Sequence, residues 1–193
     1  MDFKLHFERA WKLTFSFIVP LLLLTLVMVG VSFLSLGILA PVTMAGYFQS
    51  LLLLVREERE PRVQDVFSQM RLFWPLLGFS ILFFIAAGIG FLLLVLPGIL
   101  ITLGVSFVCL YMLFFMTDRR LRLVEAVRQS YDLTVRGRLV DQIVVFVIFM
   151  GLSSIGSSLF ILWLLTQPLA TVFLASVYEE LLGELEPVSR PDA

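Results

Sequence analysis

A chain of 193 residues that is 60% hydrophobic and only 15% charged, with a mean hydropathy of +1.01, lies outside the composition of soluble globular domains. The formal charge of −1 hides a sharp segregation, because all 14 Lys/Arg and all 15 Asp/Glu fall within 2–12, 56–71, 118–141 and 179–192. A single cysteine, Cys109, excludes a disulfide within the chain, and a single histidine, His6, has no His or Cys partner for a metal site.

Between the charged segments lie three uncharged runs, 13–55, 72–117 and 142–178. A bilayer core needs about 20 apolar residues per helix, so each run is long enough for two crossings. The composition therefore predicts an all-α integral membrane protein with six transmembrane helices arranged as three hairpins, about 13–55, 73–117 and 140–182. These form one domain over 1–183, with a flexible tail over 184–193. Short Lys/Arg-rich loops stay in the cytoplasm, which places both termini inside a bacterial inner membrane. The six arginines between 118 and 141 (Arg119, Arg120, Arg122, Arg128, Arg136 and Arg138) fix that orientation.

In chain order, 2–12 reads as an amphipathic helix lying in the interface, with Phe3, Phe7, Ala10 and Trp11 at helical spacing. The apolar stretch after it is too long for a cleaved signal core, so a retained first helix is expected over 13–36, kinked at Pro20. A turn over Gly37–Pro41 leads to a helix over 41–55. Beyond REEREPR (56–62), Val63, Val66, Phe67, Met70, Phe73 and Trp74 predict a second interfacial helix entering a crossing over 73–95. A turn at LVLPGIL (94–100) and a helix over 98–117 follow. The third interfacial helix sets Leu123, Val124, Ala126, Val127, Ser130 and Tyr131 on one arc, opposite Arg122, Glu125, Arg128, Gln129 and Asp132. The last hairpin starts near Val140 and turns at Thr166–Pro168. Pro41, Pro97 and Pro168 each fall near the start of a returning helix, where proline costs little. The threefold pattern is either an internal repeat in one orientation or what any series of hairpins produces.

An ionisable side chain within a membrane segment is a functional hypothesis by default, and the uncharged runs contain none. Proton relays, voltage sensing and carboxylate ion sites are thereby excluded. GLSSIGSS (151–158) places Gly151, Ser154 and Ser158 on one face. That face serves helix packing of the small-xxx-small kind, the preferred reading, or lines a polar path. Gln49 beside Ser50 reads as an interhelical hydrogen-bonding pair, or as part of the same path. Arg119, Arg120 and Arg122 contact anionic lipid headgroups, or simply stop translocation; the two roles are compatible. No nucleotide loop, catalytic triad or paired interior carboxylates appear, so neither an enzyme nor a cofactor is expected.

The stretches LLVLPGILITLGVSF (93–107), EAVRQSYDLTVRG (125–137), with Glu125, Ala126 and Ser130 as its acidic-Ala…Ser pattern, and PLATVFLASVYEELLG (168–183) carry a resemblance, with VFSQMRLFWPLL (66–77) in support. The chain resembles an uncharacterised bacterial multi-pass membrane family related to the membrane domain of glycerophosphodiester phosphodiesterases. The resemblance implies a six-helix membrane protein and supplies no reaction. The sequence thus predicts a non-enzymatic inner-membrane scaffold or accessory subunit, acting through helix packing and a cytoplasmic, anionic-lipid-binding surface. The expected partners are membrane lipids and a larger membrane complex or homo-oligomer, and no nucleic acid. The alternative is a transporter or channel for an apolar or zwitterionic substrate.

Overall fold

The computed structural model describes residues 3–93, 95–136, 139–155 and 160–185, and among these every regular element is helical. The elements are α1 (Phe3–Ser16), α2 (Ile18–Leu34), α3 (Ala40–Glu57), two 3₁₀ turns (Val63–Phe67 and Met70–Leu72), α4 (Phe73–Leu93), α5 (Val95–Val108), α6 (Met112–Thr117), α7 (Leu123–Tyr131), α8 (Leu139–Ile155) and α9 (Phe160–Leu185). A π turn over Asp132–Arg136 extends α7.

The amphipathic start and the first crossing divide later than the periodicity suggests. α1 runs to Ser16, and α2 leaves it at 86°. Pro20 explains the position of the corner. Its ring excludes a helical carbonyl four residues back, at Ser16, and it tolerates the first turn of a new helix. The expected kink inside a helix is therefore a helix boundary. At the next reversal Leu36 and Gly37 both take positive φ (52° and 84°), and Pro41 sits in the first turn of α3. α4 and α5 cross closely, with the position of a Cβ on Gly90 only 3.0 Å from the Gly98 Cα. A side chain at either glycine would separate the two helices.

The expected turn at Thr166–Pro168 is not a turn. α9 runs through it, with Pro168 inside the helix, and the reversal after α8 falls on 156–159, outside the described residues. Threonine hydroxyls on both sides of the proline bond nearby carbonyls, Thr166 to Trp163 O (3.4 Å) and Thr171 to Gln167 O (3.0 Å). Such side-chain bonds let a helix carry a proline through an apolar layer. The single helix expected over 98–117 is broken after Val108. There the Ser130 hydroxyl donates to Val108 O (2.5 Å) and accepts from Tyr111 N–H (3.2 Å), supplying the partners that the interrupted ladder lacks. Of the expected tail, 184–185 continue α9 and 186–193 lie outside the described residues.

α3, α6 and α9 form the centre. Tyr178 of α9 stacks on Phe114 (5.0 Å) and Tyr111 (6.0 Å) and meets Phe115 edge-on (5.3 Å), while Phe114 packs on Phe48 of α3 (5.1 Å). α4 faces outward instead, with Leu82, Phe84 and Leu92 exposed by 66%, 71% and 87%. Among the described residues one run, Val63–Leu92, is long and apolar enough to cross a membrane. The bent pair of α1 and α2 adds a second if it counts as one span, and α5 and α8 are shorter apolar helices. Helix length therefore supports one or two crossings.

The three amphipathic segments pack on α3, α6 and α9. The 3₁₀ turn over Val63–Phe67 lies so close to α3 that any Cβ on Gly46 would collide with the carbonyls of Asp65 and Val66. α7 packs on α6 and bridges the break before it through Ser130. α1 packs on α9, the last helix. The three segments thus follow one rule, and α1 closes the ring.

Candidate functional site

The charged segments converge at one end of the bundle, and their side chains divide into those that bind the protein together and those that do not. Arg56, at the end of α3, donates to both oxygens of Asp118 (2.6 and 3.0 Å) and, through Nε and Nη2, to Glu179 of α9 (3.0 and 2.6 Å). One guanidinium therefore ties together all three central helices, at the C-terminal ends of α3 and α6 and six residues before the end of α9. Its hydrogen bonds to Asp118, supported by Glu179 and opposed by partial burial, raise a pKa that is already high, so the clasp stays charged at any ordinary pH.

Asp65 anchors the segment after α3. It accepts from the Ser50 hydroxyl (2.8 Å), from Arg59 and from Arg62 N–H (3.2 Å). Gln49 accepts from Gln69 and from the Ser68 hydroxyl (3.4 Å). Gln49 and Ser50 thus hold the 63–72 segment onto α3. Arg9 reaches from α1 to the Val55 carbonyl near the end of α3 (2.8 Å), where a cation also suits the helix dipole.

His6, expected in the interface, is 5% exposed. Its Nδ1 lies 2.8 Å from the Ser176 hydroxyl and its Nε2 pairs with Glu180, both on α9. A hydroxyl, an imidazole and a carboxylate in line suggest hydrolytic chemistry, but Ser176 is 1% exposed, closed off from any substrate. The cluster docks α1. In consequence the face of α1 towards the protein is His6, Ala10 and Leu13, while Phe7, Trp11 and Phe15 form a contiguous aromatic stripe on the outside (centroids 6.2 and 4.4 Å apart).

Three arginines have a different environment. Arg71, Arg120 and Arg122 line a cleft of about 600 Å³ between the start of α4 and the turn before α7, with Leu72, Met116 and Leu121 among its apolar walls. Among the described residues none of the three pairs with a carboxylate. Arg71 donates to the Gln69 amide oxygen, at 3.3 Å from both Nε and Nη2. Glu125, the acidic residue of the cleft, accepts from Arg122 N–H (3.4 Å) and so caps α7. The turn places Arg120 at φ +53°.

The sequence-derived arginine group is therefore regrouped. Arg120 and Arg122 share the cleft, Arg119 is not among its lining residues, and Arg71 joins from the preceding charged segment. Gly151 and Ser154 lie on an exposed side of α8, with nothing within 4 Å of a Cβ at Gly151; Ser158 lies outside the described residues. These positions do not join Gln49, which sits beneath Ser68 and Gln69. No group of three or more His, Cys, Asp or Glu able to hold a metal ion occurs among the described residues. Compared with protein-family models, curated proteins and solved structures, the chain matches none of them.

Proposed function

We propose that the chain is a non-enzymatic membrane protein, a scaffold or accessory subunit whose charged end lies at the cytoplasmic face of a bacterial inner membrane and contacts anionic lipid there. The observation that carries this reading is the pairing of one charged end with an uncharged, outward-facing apolar flank. α4 exposes Ile81, Leu82, Phe84, Ile85 and Ile89, and a continuous apolar face of this kind needs lipid or a partner to cover it. On this reading α2/α3, α4 with α5–α6, and α8/α9 are three hairpins crossing the bilayer. The 86° corner lays α1 along the surface, with Phe7, Trp11 and Phe15 in the interfacial zone where such aromatics partition.

Alkaline carbonate extraction and single-cysteine labelling test the placement. In a Cys109→Ser background, a cysteine at Arg59 should label only from the cytoplasmic side. One at Gly37 should never label from that side. Release of the chain into the carbonate supernatant would end the membrane reading. The mass of the particle extracted gently in native lipid then separates accessory subunit from homo-oligomer.

A further inference from the structure

A second, mostly apolar groove of about 630 Å³ lies next to the arginine cleft on α4 and α6: the cleft is lined by Pro75 and Met116, and the groove begins at Leu76 and Leu113. That groove continues past Phe79, Ser80 and Phe83 towards the turn at Leu36–Pro41. Both volumes fall in the range of ligand sites, about 300–1,000 Å³. At about 1.5 Å per helical residue, Leu76 to Phe84 measures about 12 Å, close to the roughly 15 Å depth of one leaflet.

We infer that the cleft and the groove are one site for a single membrane phospholipid, its phosphate headgroup on Arg71, Arg120 and Arg122 and one acyl chain in the α4/α6 seam. The inference rests on the membrane reading above and deepens it. Three guanidinia against the one carboxylate of Glu125 leave two positive charges, which favours a dianionic headgroup of the phosphomonoester kind over a zwitterionic one. Guanidinium forks bind phosphate oxygens in pairs, and among the described residues none of the three is ion-paired with a carboxylate. An apolar groove set beside the charged cleft on the same two helices selects an amphiphile rather than a free anion. The apolar walls would remain uncovered by phosphate alone.

Native mass spectrometry of the full chain in detergent tests this, with phosphatidic acid and phosphatidylcholine of the same 16-carbon chains as probes. The wild type should retain the anionic lipid at least tenfold better. R71Q/R120Q/R122Q should lose that preference, and Ser80→Trp, which fills the groove, should cut retention of the long-chain lipid at least fivefold while sparing a six-carbon analogue. Thermal unfolding of each variant guards against misfolding. Equal retention of the two lipids by the wild type overturns the headgroup assignment, and an indifferent Ser80→Trp overturns the tail assignment. Inorganic phosphate binding as tightly as the lipid makes the cleft a soluble-anion site and also overturns the proposal. Carbonate extraction separates the two levels: a chain that stays in the membrane yet shows no lipid preference refutes this inference alone.

Discussion

Two sets of arginines lie at the same end of this bundle and serve opposite ends of the design. Arg56 is bound on every side by Asp118 and Glu179, whereas Arg71, Arg120 and Arg122 surround a cleft without a carboxylate pair among the described residues. The difference teaches that a basic cluster in the sequence is not one functional unit. An arginine that ties three helices together is unavailable to a ligand, and one left unpaired over an apolar floor adds little to stability and is available to one.

The largest effect should come from the clasp. Arg56→Ala leaves Asp118 and Glu179 facing each other without their shared cation. Side chains in the clasp are 16–35% exposed, between a surface pair and a buried one, so the expected loss is about 2–4 kcal/mol, read as thermal unfolding in detergent. Gly46→Ala comes next, at about 1–3 kcal/mol, because the new methyl meets backbone rather than a movable side chain. This variant sharpens the comparison, since it unseats the 63–72 segment that carries Arg71 and should weaken lipid retention as well as stability. Ser130→Ala should cost about 1–2 kcal/mol by leaving Tyr111 N–H unpartnered at the α5–α6 break, measurable by hydrogen exchange at Tyr111 and Met112. Smallest is Tyr178→Phe. The Tyr178 hydroxyl is buried with no hydrogen-bond partner among the described residues, so its removal should shift stability by less than about 0.5 kcal/mol, or raise it slightly.

Much of the helical order was legible in the sequence because charge segregation and proline position are local. The uncharged runs, the amphipathic stretch after Arg122 and the entry of Pro41 into the first turn of α3 can each be read within a few residues. What escaped was set by contacts far apart in the chain. Nothing between Val108 and Tyr111 breaks a helix by propensity; the break is stabilised by a serine on α7. Pro168 looked like a turn because its neighbours Thr166 and Gln167 are polar, yet Thr166 and Thr171 sustain a helix through it. His6 gave no signal at all, since its partners Ser176 and Glu180 lie at the other end of the sequence. Arg71 was separated from its cleft partners by the whole α4–α6 hairpin, and only the packing of α4 against the turn before α7 brings them together. Arg119 was grouped with Arg120 and Arg122 by adjacency, although the positive φ at Arg120 turns the chain between Arg119 and Arg122.

The division between the two arginine sets is tested most directly by one thermal-unfolding comparison, carried out on the wild type, Arg56→Ala and R71Q/R120Q/R122Q with and without phosphatidic acid. The triple variant should melt with the lipid-free wild type and show none of the wild type's lipid-dependent rise. Arg56→Ala should melt lower and keep the rise. A triple variant as destabilised without lipid as Arg56→Ala would mean that the cleft arginines hold the fold together, and would contradict the account.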